Sequence, residues 1–179
     1  MLLQKLQKRF LYRKRAAMNN TTAEITVRPA TEDDVPFIHA LLEPYADKGI
    51  VLRRSREDIL FYIRNFRTAW INGEICGCVA VRDFGNKLME VRSLVVGKKF
   101  QGTGVGRKLI EFVLEQLGSM YPEKDWNLFT LTGQAVFFQR LGFKVVNKEM
   151  FPEKIWSDCS KCKKQHCCDE VALLYDHNA

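Results

Sequence analysis

The chain has 179 residues, 46% of them hydrophobic and 27% charged, ordinary values for one globular domain with a sizeable core. No apolar run approaches the roughly 20 residues that a membrane-spanning helix needs. The formal charge of +7 invites a nucleic-acid reading, but Lys5, Lys8, Arg9, Arg13, Lys14 and Arg15 stand in residues 1–23 without any acid. That leaves +1 for the rest and disfavours a folded phosphate-backbone binder. In chain order, residues 1–23 read as a basic N-terminal extension. Its Leu2, Leu3, Leu6, Phe10 and Leu11 could line one side of a short amphipathic helix, and it lacks the continuous apolar segment of a secretory signal. Residues 24–179 are expected to form the domain proper.

Residues 25–30 (ITVRPA) predict a strand. Val35, Ile38, Leu41 and Leu42 then fall at helical spacing over 32–45, with Thr31 and Asp34 placed to cap that helix. Ser55 followed by Asp58 starts a second helix, predicted to run through Phe66 with Ile59, Leu60, Ile63 and Phe66 inward. The period then changes: 68–71 and 75–82 flank Asn72-Gly73, a pair suited to a tight hairpin turn, and 88–96 follows as a third consecutive strand. Cys76 and Cys78 are expected on one side of the middle strand, as small hydrophobes. Residues 104–117 are the central helix, 126–131 a buried strand, 134–141 a short helix stopped by Gly142, and 143–146 and 171–175 further strands. The order predicts one α/β domain with a mixed sheet, interrupted by a cysteine-bearing excursion at 156–169.

The strand at 88–96 runs into Gln101-Gly102-Thr103-Gly104-Val105-Gly106-Arg107 at the start of the central helix. Exposed amides at a helix N-terminus, approached by glycine backbone, make a phosphate cradle. The spacing is not that of a dinucleotide fold, which wants G-x-G-x-x-G, and no Gly-Lys-Ser/Thr follows as in a nucleoside-triphosphate loop. Gln101 to Gly106 does match the Q/R-x-x-G-x-G/A signature of the GNAT N-acetyltransferases. Ala135-Val136-Phe137-Phe138-Gln139-Arg140-Leu141-Gly142-Phe143 resembles that superfamily's later A-x-x-F/Y-Y/F-x-x-x-G-F segment.

The resemblance covers about residues 25–175 and implies a GNAT-like domain whose twisted sheet is mainly antiparallel and flanked by helices. It also implies acetyl-CoA as donor. The amides of Gly102, Thr103, Gly104, Val105, Gly106 and Arg107, with Gln101, would hold the pyrophosphate. The backbone of Leu94, Val95 and Val96 would pair with the pantetheine arm, and Phe138 would border it. Anchoring by remote phosphates presents the thioester to an amine with much of the orientation already set. Lys98 and Lys99 could add phosphate contacts, and each reads equally well as a solvated surface charge.

A narrower resemblance is to the short, single-domain N-acetylglutamate synthases. Leu52-Arg53-Arg54-Ser55, the stretch from Glu90 to Val96, and Lys154-Ile155-Trp156-Ser157-Asp158-Cys159 closed by Cys168-Asp169-Glu170 carry it. L-glutamate has two carboxylates and one amine, so its pocket wants at least two cationic or amide donors. An arginine fork suits each carboxylate. Arg54 and Arg92 are the first candidates, with Arg53 and Ser55 beside them. Glu90 is the candidate base, directly or through water, because members of the superfamily often use an acid on this strand. A carboxylate at its usual pKa is a weak base for an ammonium, so this role needs a raised pKa or a water relay. Phe137-Phe138 stands where many members place a proton-donating tyrosine. The thiolate would then leave with another donor, with water, or unprotonated.

Cys159, Cys162 and Cys168, with His166 nearby, could form a structural zinc site; a reduced cysteine cluster is the alternative. The expected partners are acetyl-CoA and a small acidic amino acid, not nucleic acid, with a cytoplasmic location and a homodimer allowed. Two other functions stay open at this level: acetyl transfer to another small amine, and a non-catalytic acyl-CoA sensor.

Overall fold

The computed structural model describes residues 24–162 and 167–177. The basic extension 1–23 and His166 lie outside them. Seven strands, β1 (Thr26–Pro29), β2 (Phe66–Ile71), β3 (Glu74–Asp83), β4 (Leu88–Val96), β5 (Asn127–Thr132), β6 (Phe143–Val146) and β7 (Val171–Tyr175), form one sheet in the order β1-β2-β3-β4-β5-β7-β6. Every neighbouring pair is antiparallel except β4 with β5, so the sheet is mixed and mainly antiparallel, as the sequence predicts. Asn72 and Gly73 turn the β2–β3 hairpin with φ of 51° and 79°, the left-handed pair that a two-residue turn requires.

Helices α1 (Val35–Asp47) and α2 (Arg56–Phe61) cover one face of the sheet, and α3 (Val105–Met120) covers the other. The apolar positions of α3 recur at helical spacing, so Val105, Leu109, Ile110, Val113 and Leu117 all point into the core. Each such fully buried side chain contributes about 1.5–3 kcal/mol. Gly77 on β3 lets α3 come this close, since a Cβ there would lie 2.8 Å from Val105 Cγ1 and 3.1 Å from Leu109 Cδ1. The short α4 (Ala135–Gln139) and α5 (Pro152–Ser157) follow β5 and β6. No helix among the described residues is long and apolar enough to cross a membrane.

Two expectations are corrected. The second helix does not reach Phe66: α2 stops at Phe61, a 3-10 turn occupies Ile63–Asn65, and Phe66 opens β2 opposite Ala80. Sheet pairing buries the Phe66 ring and satisfies its backbone, whereas Leu60 is left exposed. Cys76 and Cys78 do not share a side. The β2–β3 register shifts between Ala69 and Trp70, leaving Cys76 as an extra residue, so Cys76 packs with α3 and Cys78 with α1 and α2. A bulge of one residue reverses the alternation of side chains. Both thiols are fully buried, and burial pushes that of Cys78 up to about 12.

Candidate active site

The one parallel pairing is short. It runs from Leu88 opposite Asn127 to Glu90 opposite Phe129. Beyond it, β4 carries a register shift against β3 at Cys78/Ala80, with Ser93 at φ 53°. Thr130 Oγ1 still donates to Val91 O at 3.0 Å, but the strands part, and a cleft of about 870 Å³ opens between them. Its walls include Leu94 and Val96 on one side, Thr132 and Gln134 on the other, and the glycine loop at one end.

That loop has the conformation its glycines suggest. Gly102 and Gly104 have φ of 78° and 93°, and a Cβ on either would meet nothing within 4 Å, so glycine is required by backbone shape and the space above is open. Gly104 is the N-cap of α3 without a side-chain cap, and the first helical bond runs from Lys108 N–H to Gly104 O at 3.0 Å. The earlier amides of α3 thus lack intrahelical acceptors, at the positive end of a sixteen-residue helix. Gln101, Gly102, Gly104, Val105, Gly106 and Arg107 all line the cleft, as does Phe138. The Thr103 hydroxyl is turned to Phe100 O at 2.6 Å. The Val95 side chain points into the core beneath α1. The Lys99 ammonium pairs with Glu74 at 2.6 Å.

Gln101 does more than begin the loop. Its Nε2 donates to the Tyr45 hydroxyl at 2.8 Å and to Val96 O at 3.2 Å, and Tyr45 itself donates to Val96 O at 2.8 Å. The Val96 carbonyl therefore already has two donors, and the strand end, the loop and α1 are joined at one point.

A second cavity of about 470 Å³ lies on the other side of Arg92, which lines both. Arg54, Arg82, Arg92, Asp83 and Asp158 supply its charges, with Tyr62 and Asn65 beside them. Among the described residues Arg54 makes no side-chain hydrogen bond or ion pair, and its Nε is buried without an acceptor. Burial, and then the like charge of Arg92, lower its pKa from the usual arginine range; Asp58, Asp158 and Glu90 act the other way. A half-buried guanidinium with an unsatisfied Nε suits an incoming anion.

Glu90 is 2% exposed and stands on the wall of neither cavity. Its Oε1 lies 2.7 Å from Lys154 Nζ, and its Oε2 lies 3.8 Å from Arg92 and accepts no hydrogen bond. The other sequence candidates lie elsewhere. Arg53 is exposed and pairs with Asp47. Ser55 caps α2, its Oγ accepting from Asp58 N–H at 3.1 Å. The Phe138 ring is buried edge-to-face against Phe143 and has no proton to give. Among the described residues no three of His, Cys, Asp and Glu come together to hold a metal, so nothing there supports the expected zinc site at Cys159, Cys162 and Cys168, and His166 lies outside them. Cys159 begins a 3-10 turn, and burial raises its thiol pKa.

Sequence reasoning assigned no role to Arg82, Lys154 or Asp158. A charge within the apolar run of β3 was a signal for Arg82. The helical spacing of Lys154 and Asp158 carried none, because their partners are more than sixty residues away in the chain.

Residues 56–145 match the acetyltransferase (GNAT) domain family. The chain is 40% identical over 153 residues to an uncharacterized N-acetyltransferase of Chlorobaculum tepidum, covering 85% of this chain and 96% of that one. It is 30% identical over 132 residues to the amino-acid acetyltransferase of Neisseria meningitidis, covering 73% of this chain but 30% of the relative. Its fold resembles N-acetylglutamate synthase from Neisseria gonorrhoeae, complexed with coenzyme A and N-acetyl-glutamate. The TM-score is 0.74 at 26% identity, covering 86% of this chain and 35% of that one. The chain therefore spans about a third of the length of these two larger relatives.

Proposed function

Since the chain belongs to the GNAT family of N-acetyltransferases, we propose that it transfers the acetyl group of acetyl-CoA to the α-amine of L-glutamate. One observation carries the acceptor assignment: an arginine-walled cavity adjoins the acetyl-CoA cleft at Arg92. The charged residues of that cavity, three arginines against two aspartates, leave one positive charge. L-glutamate, with two carboxylates and an ammonium, carries one negative charge. A polyamine would meet repulsion in the same place.

In this reading the open amides at the start of α3 receive the pyrophosphate, and the parted edge of β4 aligns the pantetheine arm. Arg54 and Arg92 hold carboxylate, which turns the amine toward the cleft. The ammonium loses a proton, the free amine attacks the thioester carbonyl, and the C–S bond breaks to release CoA thiolate. Glu90 would accept the proton through water, since it stands at neither cavity wall. The thiolate can leave unprotonated, because a thiol pKa of about 8.5 makes it a tolerable leaving group.

The test is CoA release from acetyl-CoA with a panel of single amines, with product mass recorded. L-glutamate is expected to be preferred. Arg92→Ala is expected to raise its KM at least tenfold while acetyl-CoA still binds. Tight acetyl-CoA binding with no glutamate-dependent release would reject the assignment.

A further inference from the structure

Lys154 and Asp158 are spaced i,i+4, from the third residue of α5 to its C-cap. Lys154 is 7% exposed, a rare state for a lysine, and its ammonium bridges Glu90 at 2.7 Å and Asp158 at 2.9 Å. Asp158 in turn takes Nη1 of Arg82 at 2.9 Å and 3.0 Å, and Nη1 of Arg92 at 3.2 Å. Arg82 and Arg92 rise from the same region of the β3–β4 ladder, where Arg82 faces Glu90 and Ala80 faces Arg92. One carboxylate from the cysteine-bearing excursion thus holds two arginines of the cavity by one nitrogen each, while Arg54 makes no side-chain hydrogen bond or ion pair among the described residues.

We propose that Asp158, seated by Lys154, is a positioning residue for the acceptor's carboxylate. It holds the Arg82 and Arg92 forks in place, so that the free donors of Arg92, together with Arg54, form the receptor. The proposal rests on reading this cavity as the acceptor site. An arginine side chain with unrestrained torsions would have to be ordered on each binding event, and an ion pair of this geometry orders it beforehand. Residues that orient a metal's ligands change its affinity by about ten- to a hundredfold when removed, and an effect of similar size is expected from a carboxylate that orients two arginines. A purely electrostatic role has the opposite sign, because removing an anion makes the cavity more cationic and would tighten carboxylate binding.

The experiment uses glutarate, which has the two carboxylates of L-glutamate and no amine, as a binding probe by calorimetry, alongside steady-state kinetics with L-glutamate. Asp158→Asn is expected to weaken glutarate at least tenfold and raise the glutamate KM by a similar factor. kcat is expected to change less than threefold and acetyl-CoA affinity not at all. Asp158→Glu keeps the charge but shifts it by a methylene, and is expected to weaken glutarate too, whereas a charge-only role leaves it as in the parent. It also serves if Asp158→Asn fails to fold, with CoA binding and the melting temperature reporting folding. Glutarate binding that is unchanged or tighter in these variants overturns the positioning role while the acceptor site stands. A parent protein that binds no glutarate overturns the acceptor site and the positioning role together.

Discussion

The hydroxyl of Tyr45 donates to Val96 O and accepts from Gln101 Nε2, each at 2.8 Å, so strand, loop and helix meet at one oxygen. A hydrogen bond of this kind contributes about 0.5–1.5 kcal/mol, and here two of them set the first residue of the phosphate loop. Tyr45→Phe is expected to weaken acetyl-CoA roughly three- to tenfold by calorimetry, on that scale. With the acceptor beyond Arg92 as proposed, its KM is expected to stay within twofold, and unchanged acetyl-CoA affinity would count against the bridge. Gln101 was legible in the sequence because its motif is local. Tyr45 was not, since its partners lie 51 and 56 residues away and a tyrosine near a helix end carries no distinctive spacing. Arg92 stood out in the sequence because a charge interrupts an otherwise apolar strand, and Arg54 because it precedes the second helix; that both line one cavity was visible only in the fold.

At the scale of elements, the cleft depends on how far α3 sits down on the sheet. Gly77 sets that distance, because the first atom of any side chain would run into Val105 and Leu109 and approach Val95 O at 3.1 Å. Gly77→Ala is expected to cost about 1–3 kcal/mol in urea unfolding, as overpacking of a tight core does. It is also expected to lower acetyl-CoA affinity, because raising α3 moves the amides of Val105, Gly106 and Arg107. Stability and affinity both at parent levels would show that the helix adjusts without disturbing the cradle. Periodicity marked α3 correctly from Val105 to Leu117, but could not say how closely it packs. Periodicity also carried α2 too far, since Phe66 suits a helix face and a strand equally well until the strand at Ala80 is available to pair with it.

Over the whole molecule, the Lys154–Asp158 pair ties the cysteine-bearing excursion to the middle of the sheet. Burial would raise the Asp158 pKa, but the Lys154 hydrogen bond and the charges of Lys154, Arg92 and Arg82 outweigh it and hold the carboxyl at about 2, below its ordinary 3.8. The folded pKa is the lower one, so this contribution to stability is present above about pH 3.8 and is lost as pH falls through about 2. Melting temperature is expected to fall more steeply over that interval in the parent than in Asp158→Asn; parallel curves would remove Asp158 from the account of acid stability.

The sequence by itself determined the α/β class, most of the strands, the central helix, the glycine loop and the family, because alternation, helical spacing and a short motif are properties of neighbouring residues. Only the tertiary structure decided what depends on register and distance. A one-residue bulge sent Cys76 and Cys78 to opposite faces, and the parting of β4 from β5 opened the cleft. A short helix far along the chain brought Lys154 and Asp158 to Glu90, Arg82 and Arg92. Such contacts join residues that share no local pattern, so they exist only once the sheet has assembled.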